Sequence, residues 1–238
     1  MKRILISCDR REQGPVSKSS RIRPPRPEIF LKEALINGVV EAGALPILLP
    51  PLPLKVLSAQ VLRELVQDVD GVVISGGAFD IDPRHYGQNQ KGRLDRTDED
   101  RTQTELLLAE TVMEMKKPLL GICGGMQAMA VAQGGTLIQD IRGEKENALE
   151  HEQPTSPDEH WHAVYFSSGR LREIYGEKIQ VNSTHHQSVL NPGVFTITGT
   201  SSDGVVEAIE LKDQFAIGVQ WHPEFLDERL FLALVEEL

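Results

Sequence analysis

A short apolar run that ends on a cysteine set among glycines is the tightest constraint in this 238-residue chain. Lys117-Pro118-Leu119-Leu120-Gly121-Ile122 reads as a strand opened by proline, Met126 to Gln133 reads as a small-residue helix, and Cys123 sits on the turn between them. A sharp strand-to-helix elbow needs neighbours without Cβ atoms, so that the turn can tighten and a ligand can approach, and Gly121, Gly124 and Gly125 meet that need. The following helix aims its first N–H groups and the positive end of its dipole at the sulfur. A free thiol has a pKa near ~8.5, and each unit of depression stabilises the thiolate by about 1.4 kcal/mol, so such an elbow suits a nucleophile. By itself the heptapeptide Gly121 to Gln127 also fits a structural cysteine beside a tight turn. Partners elsewhere in the chain have to decide.

The elements before the elbow alternate. Residues 3–8 form a buried first strand, and from Glu28 to Ala44 the apolar residues Ile29, Phe30, Ala34, Leu35, Val39 and Val40 follow helical spacing up to Gly43. A strand from Leu45 to Leu49, a helix from Leu54 to Val66 and a β-branched strand from Gly71 to Ser75 come next, then a helix from Asp98 to Lys116. Strand, helix, strand, helix, strand is the rhythm of a parallel sheet. Asp9 to Pro27 is polar and proline-rich and is expected to form a long loop. Asp100, Arg101 and Glu105 are expected to pair along a solvated helix face. The loop Ser75-Gly76-Gly77-Ala78 follows the third strand; ligands of open α/β sheets bind beyond the carboxyl ends of the strands, so this loop faces the same crevice as Cys123.

After the elbow, Thr136 to Ile141 reads as a strand and Arg142 to Glu159 as charged and irregular. Ala163 to Phe166, Lys178 to Val181, Phe195 to Thr200 and Val205 to Leu211 alternate in the manner of an antiparallel extension. No repeat, low-complexity tract or linker divides the chain, so one domain over residues 1–238 is expected. The fold class is α/β: an open, mostly parallel twisted sheet with helices on both faces and an antiparallel extension in the C-terminal half.

Composition narrows the partners. A net charge of -10 argues against a general nucleic-acid binder, whose footprint would be basic. Cys8 and Cys123 are too few for a disulfide framework, the apolar N-terminal stretch is too short for a signal peptide, and no segment approaches the ~20 apolar residues of a membrane span. A cytoplasmic protein is expected.

The partners that the elbow needs stand near the C-terminus. Ala216-Ile217-Gly218-Val219-Gln220-Trp221 reads as a last strand that delivers His222-Pro223-Glu224 at its end. Proline biases its predecessor toward an extended backbone, in which residues two apart share a side, so His222 and Glu224 are expected on one face. A carboxylate beside an imidazole fixes its tautomer, and the other ring nitrogen takes a proton from a thiol. Cys123, His222 and Glu224 thus form a candidate triad. His151, His160 and His162 invite a metal reading, but their spacing matches no standard zinc pattern, so they are expected to be surface or strand residues and no metal is assigned. His185-His186 ends a strand.

Gly121 to Gln127, together with Gln220-Trp221-His222-Pro223-Glu224, resembles the class I glutamine amidotransferase superfamily, whose members hydrolyse γ-glutamyl amide bonds with a cysteine, a histidine and a glutamate. Gly76-Gly77 with Phe79-Asp80-Ile81-Asp82-Pro83 and Tyr86-Gly87, Gly134 to Ile141, Val181 to Gln187, and Asp203-Gly204 before Glu207-Ala208 are similar to the free-standing γ-glutamyl-γ-aminobutyrate hydrolases. The resemblance extends over nearly the whole chain. It implies a flavodoxin-like fold and a cysteine-dependent hydrolase of a small γ-glutamyl amide, either γ-glutamyl-GABA-like or polyamine-derived, acting through a thioester. Cys123 would be the nucleophile, His222 the base and then acid, and Glu224 its orienting partner. Backbone N–H groups of Gly124 and of Gly77 or Ala78 would hold the oxyanion. Gln127, His185, His186 and Gln187 would contact the γ-glutamyl portion. No cofactor is implied; the partners are the small γ-glutamyl molecule and, at most, a second copy of the chain in a homodimer, with no nucleic acid and no membrane. Gly124 stands where many relatives carry arginine, the diglycine loop holds one extra residue before Asp80, and Thr102 follows Arg101 where aspartate is common. The alternatives are a glutaminase subunit that feeds ammonia to a synthase, and a binder of γ-glutamyl compounds that does not turn them over.

Overall fold

The computed structural model describes residues 1–12 and 27–238. In chain order the elements are β1 (Arg3–Ser7), β2 (Asp9–Glu12), β3 (Pro27–Phe30), α1 (Glu33–Glu41), β4 (Leu45–Leu49), α2 (Ala59–Gln67), β5 (Gly71–Ile74), α3 (Glu99–Glu114), β6 (Leu119–Ile122) and α4 (Gly124–Ala132). There follow β7 (Thr136–Ile138), α5 (Ile141–Glu144), β8 (His162–Phe166), α6 (Arg170–Tyr175), β9 (Lys178–Val181), β10 (Ser188–Asn191), β11 (Thr196–Ser201), β12 (Val206–Glu210), β13 (Ala216–Val219) and α7 (Arg229–Glu236).

Nine strands form one sheet in the order β4-β1-β5-β6-β13-β12-β11-β8-β9. From β4 to β13 the neighbours run parallel, and from β13 to β9 they run antiparallel. Successive side chains of a strand point to opposite faces, and the core divides accordingly. Leu5, Val72, Ile74, Leu119 and Ala216 pack on one side with Leu62 and Val66 of α2, Leu108 and Val112 of α3 and Met126 and Met129 of α4. Ile4, Ile6, Val73, Leu120, Ile122, Ile217 and Val219 pack on the other with Leu35 and Val39 of α1, Leu171 of α6 and Leu230, Phe231 and Leu234 of α7. The expected mostly parallel sheet, covered on both faces and extended by antiparallel strands, is therefore present.

Several boundaries differ from the sequence reading. Asp9–Glu12 and Pro27–Phe30 pair as antiparallel strands, and residues 13–26 of the expected loop lie outside the described residues. The same pairing removes Glu28–Phe30 from the expected helix: Arg11 meets Glu28 at 3.1 Å and its guanidinium lies over the Phe30 ring, cross-strand contacts that a helix would not allow. The expected helix from Leu54 begins only at Ala59, where the Ser58 hydroxyl accepts from the Val61 N–H. Arg101 and Glu105 are buried on α3, not solvated; Arg101 pairs with Glu105 at 3.0 Å and with Asp9 at 2.8 Å. β7 stops at Ile138 and pairs with β10 outside the large sheet.

Candidate active site

Two adjacent parallel strands carry the site. β6 and β13 pair with Gly121 opposite Gly218 and Ile122 opposite Val219, and the Cys123 N–H donates to the Val219 carbonyl at 2.7 Å. Both chains thus leave the sheet at the same edge, one through Cys123 into α4 and the other through Gln220 and Trp221 to His222. Cys123 has φ 52° and ψ -110°, a strained backbone for a residue with a Cβ. The strain follows from the tightness of the elbow: a Cβ at Gly125 would collide with the Ile74 carbonyl oxygen, so α4 starts directly over β5. A Cβ at Gly76 would lie 2.8 Å from Cε1 of His222 and 3.0 Å from Cβ of Cys123, which places the diglycine loop against both side chains.

The imidazole of His222 stands beside Cys123 against the diglycine loop, and its Nδ1 lies 2.8 Å from Oε1 of Glu224. The expected extended geometry is not what joins the pair. Pro223–Phe225 forms one 3₁₀ turn, with proline in its first turn where no N–H is required, and the turn folds Glu224 back onto the ring. Burial disfavours the imidazolium, but the charges of Glu224 and of Cys123 outweigh it and raise His222 to about 10. Burial likewise works against the Glu224 carboxylate, and His222 overcomes it, so Glu224 titrates below its ordinary range.

Sequence reasoning overlooked two supports. Asn182 grips the His222 backbone in both directions, its Oδ1 accepting from the His222 N–H at 2.8 Å and its Nδ2 donating to the His222 carbonyl at 2.9 Å. Gln220 donates from Nε2 to the Cys123 sulfur at 3.5 Å, while its Oε1 accepts from Gln127 at 3.2 Å. A signal for Gln220 was its place two residues before His222; Asn182 carried none, because its role is set by tertiary contact alone.

A cleft of about 200 Å³ opens over the sulfur, lined by the predicted Gly77, Ala78, Cys123, Gly124, Gln127, His185, His186 and Gln187, with Phe79, Asp80, Asp95, Glu152 and Thr184. His222 and Glu224 stand behind this lining. A Cβ at Gly124 would meet only the Gly77 nitrogen, at 3.9 Å, so these two residues lie near each other and a side chain at 124 has room. Arg101 props the loop that bears Gly77 by donating to the Ser75 carbonyl at 3.1 Å.

The four predicted substrate contacts separate on inspection. His185 Nδ1 donates to the Gln187 carbonyl at 2.9 Å and its Nε2 faces Ser183, so both ring nitrogens turn into the protein and not toward the cleft. Burial, first of all, pushes its pKa well below the usual histidine value. His186 pairs through Nε2 with Asp80 at 3.0 Å, which raises it against the effect of burial, and its Nδ1 has no partner. Gln187 donates to the Gln139 carbonyl and leaves a buried Oε1 unpaired. Gln127 donates to the Gln187 carbonyl and to Gln220.

The histidines set aside for lack of zinc spacing do not behave alike. His160 is exposed, whereas His151 and His162 are buried and meet His185 and Glu207. No helix among the described residues is long and apolar enough to cross a membrane.

A family model described as Peptidase C26 matches residues 18–224. A glutamine amidotransferase-like protein of Rickettsia prowazekii is 34% identical over an alignment of 257 residues, covering 88% of this chain and 89% of that protein. The γ-glutamyl-γ-aminobutyrate hydrolase of Escherichia coli K12 is 32% identical over 206 residues, 82% of this chain and 78% of that protein. The glutaminase domain of CTPS from Trypanosoma brucei with bound acivicin shares the fold, with a TM-score of 0.62 at 14% identity, over 100% of this chain and 93% of that one. The chain therefore belongs to the Peptidase C26 family of class I glutamine amidotransferase-like, cysteine-type amidohydrolases.

Proposed function

We propose that this protein hydrolyses the γ-glutamyl amide bond of a small γ-glutamyl compound, using Cys123, His222 and Glu224. The observation that carries the reading is the buried His222–Glu224 pair set against a cysteine on a strained elbow, at the floor of a small cleft. The sulfur, its proton held by His222, attacks the γ-carbonyl carbon, and the oxyanion meets the N–H groups of Gly124 and of Gly77 or Ala78. Collapse breaks the C–N bond as His222 protonates the leaving amine, leaving a thioester. Water then gives a proton to His222 and its oxygen to the acyl carbon, the C–S bond breaks, and glutamate departs.

The cleft volume suits a glutamyl group and little more, so the amine extends outward beyond it. Asp80, Asp95 and Glu152 stand on that lining, with Arg93 bonded to both Asp95 and Glu152. His186 on Asp80 and the Arg96 guanidinium over Phe79 add positive charge, so the lining is near balance and accommodates both a polyamine-derived amine and one that ends in a carboxylate. The name of the E. coli relative supports the γ-glutamyl class.

The test is product release from a panel of γ-glutamyl amides, including γ-glutamyl-GABA, a γ-glutamyl polyamine and glutamine, by the wild type and Cys123→Ala. Release by the wild type alone, from at least one γ-glutamyl amide bulkier than glutamine, is expected. Equal release by both proteins, or a wild type inert across the panel, overturns the reading. Turnover of glutamine alone, rising when a synthase is added, would favour the glutaminase-subunit alternative.

A further inference from the structure

Four buried side chains from separate parts of the chain turn their donor atoms toward one point behind the cleft. His151 follows α5, His162 begins β8, His185 lies between β9 and β10, and Glu207 belongs to β12. Oε1 of Glu207 is 3.4 Å from Nδ1 of His151, 3.5 Å from Nε2 of His162 and 3.8 Å from Nε2 of His185. The four donor atoms all lie within 4.8 Å of one another. In a tetrahedral zinc site, ligands about 2.0–2.1 Å from the ion stand roughly 3.3 Å apart, so a small contraction closes this cage.

Polar atoms of the cluster lack hydrogen-bond partners. His151 Nε2 faces the Asp203 carboxylate at 3.1 Å, where a hydrogen belongs, and its Nδ1 points inward at Oε1 of Glu207, 3.4 Å away, where it would be bare with an ion bound. His185 donates from Nδ1 to the Gln187 carbonyl, which turns its bare Nε2 inward. Neither carboxylate oxygen of Glu207 and neither ring nitrogen of His162 has a hydrogen-bond partner. The Ser183 hydroxyl has one proton and three acceptors in reach: the His151 carbonyl at 2.9 Å, His185 Nε2 at 3.1 Å and His151 Nδ1 at 3.4 Å. A fully buried carboxylate with no hydrogen-bond partner is costly unless a cation sits beside it.

We infer that His151, His162, His185 and Glu207 bind one Zn²⁺ ion in a closed tetrahedral site. Imidazole and carboxylate donors suit zinc, and four protein ligands with no solvent position make the site structural. Asp203 on His151 and the Gln187 carbonyl on His185 are the outer partners that orient metal-bound imidazoles. The ion ties β12 and β8 to the segment around His151 and to the loop that carries His186 and Gln187. It thereby fixes the back wall of the cleft without touching the reacting bond.

The test is elemental analysis of the chain purified without a histidine tag or chelator, followed by stripping and by titration with Zn²⁺ or Co²⁺. One zinc per chain, a fall in melting temperature on stripping that Zn²⁺ reverses, and the visible absorption of tetrahedral cobalt are expected. Glu207→Gln and His162→Ala should lose the metal, exposed His160→Ala should keep it, and Asp203→Asn should bind about 10–100-fold more weakly. If Glu207→Gln and His162→Ala do not fold, the cobalt spectrum of the wild type and the Asp203→Asn affinity decide. A wild type that is metal-free and takes up neither ion overturns the inference, as does full zinc content in folded Glu207→Gln and His162→Ala.

Discussion

Oε1 of Glu224 and Nδ1 of His222 stand 2.8 Å apart across a proline that turns the chain back on itself. Glutamine at 224 keeps the shape and removes the charge that holds the imidazolium. Glu224→Gln is expected to lower kcat/KM by about 10²–10⁴-fold. The basic limb of the kcat/KM profile, near pH 10 in the wild type, should move to lower pH. The linkage has a definite sign. A folded pKa raised above the ordinary 6.5 adds stability that is complete below 6.5 and is lost as pH rises through about 10. The melting temperature of the wild type should therefore fall more across that window than that of the variant. Superimposable pH profiles would show that Glu224 does not set the charge of His222.

The two cysteines should differ in reactivity. Cys8 is buried, and burial above all pushes its thiol up to about 11, so little thiolate forms near neutral pH. Iodoacetamide is expected to add one group per chain, at Cys123, and none to Cys123→Ala, as read by intact mass and peptide mapping. Comparable labelling of Cys8 would contradict the assignment.

Asn182→Ala strips the partners from the His222 N–H and carbonyl and from the Pro157 carbonyl. Each buried group left unpaired costs about 1–3 kcal/mol, which urea unfolding should register. Because the loss falls on the backbone that aims His222, kcat should drop more than ~10-fold while KM changes little. A variant of unchanged stability and turnover would remove Asn182 from the support of the site.

Glycines on either side of the sulfur should respond differently to one added methyl group. Gly124→Ala meets nothing closer than 3.9 Å, so the fold and the oxyanion N–H survive, and the expected effect is a rise in KM that grows with the bulk of the amine. Gly76→Ala places its Cβ 2.8 Å from the His222 ring and 3.0 Å from Cβ of Cys123, and a displacement of about 1 Å there is worth roughly 10²-fold in kcat. Equal kinetics for the two variants would refute this picture of the loop.

Legibility followed the range of the interactions. The alternation that sorts Ile4 and Ile6 from Leu5, or Val73 from Ile74, is local, so the parallel sheet could be read directly. The approach of His222 to Glu224 was read for the wrong reason, since Pro223 opens a 3₁₀ turn instead of prolonging the strand. Glu28–Phe30 looked helical because Ile29 and Phe30 fit a 3.6 period, whereas cross-strand pairing with Arg10 and Asp9 decided the matter. Arg101 and Glu105 have the spacing of a surface ion pair, and only the fold shows Asp9 and Ser7 closing over them. His151, His162, His185 and Glu207 share no local spacing, because each comes from a different segment.

The position of β13 between β6 and β12 also sets an order of events. Gln220 and Cys123 are 97 residues apart in sequence, and the strand that joins them is the last of the sheet to be synthesised. Under the proposed mechanism, Cys123 is therefore synthesised well before His222, the base proposed for it. Until β13 is made the thiol has no proposed proton acceptor, and the proposed hydrolysis requires that final strand to close the seam.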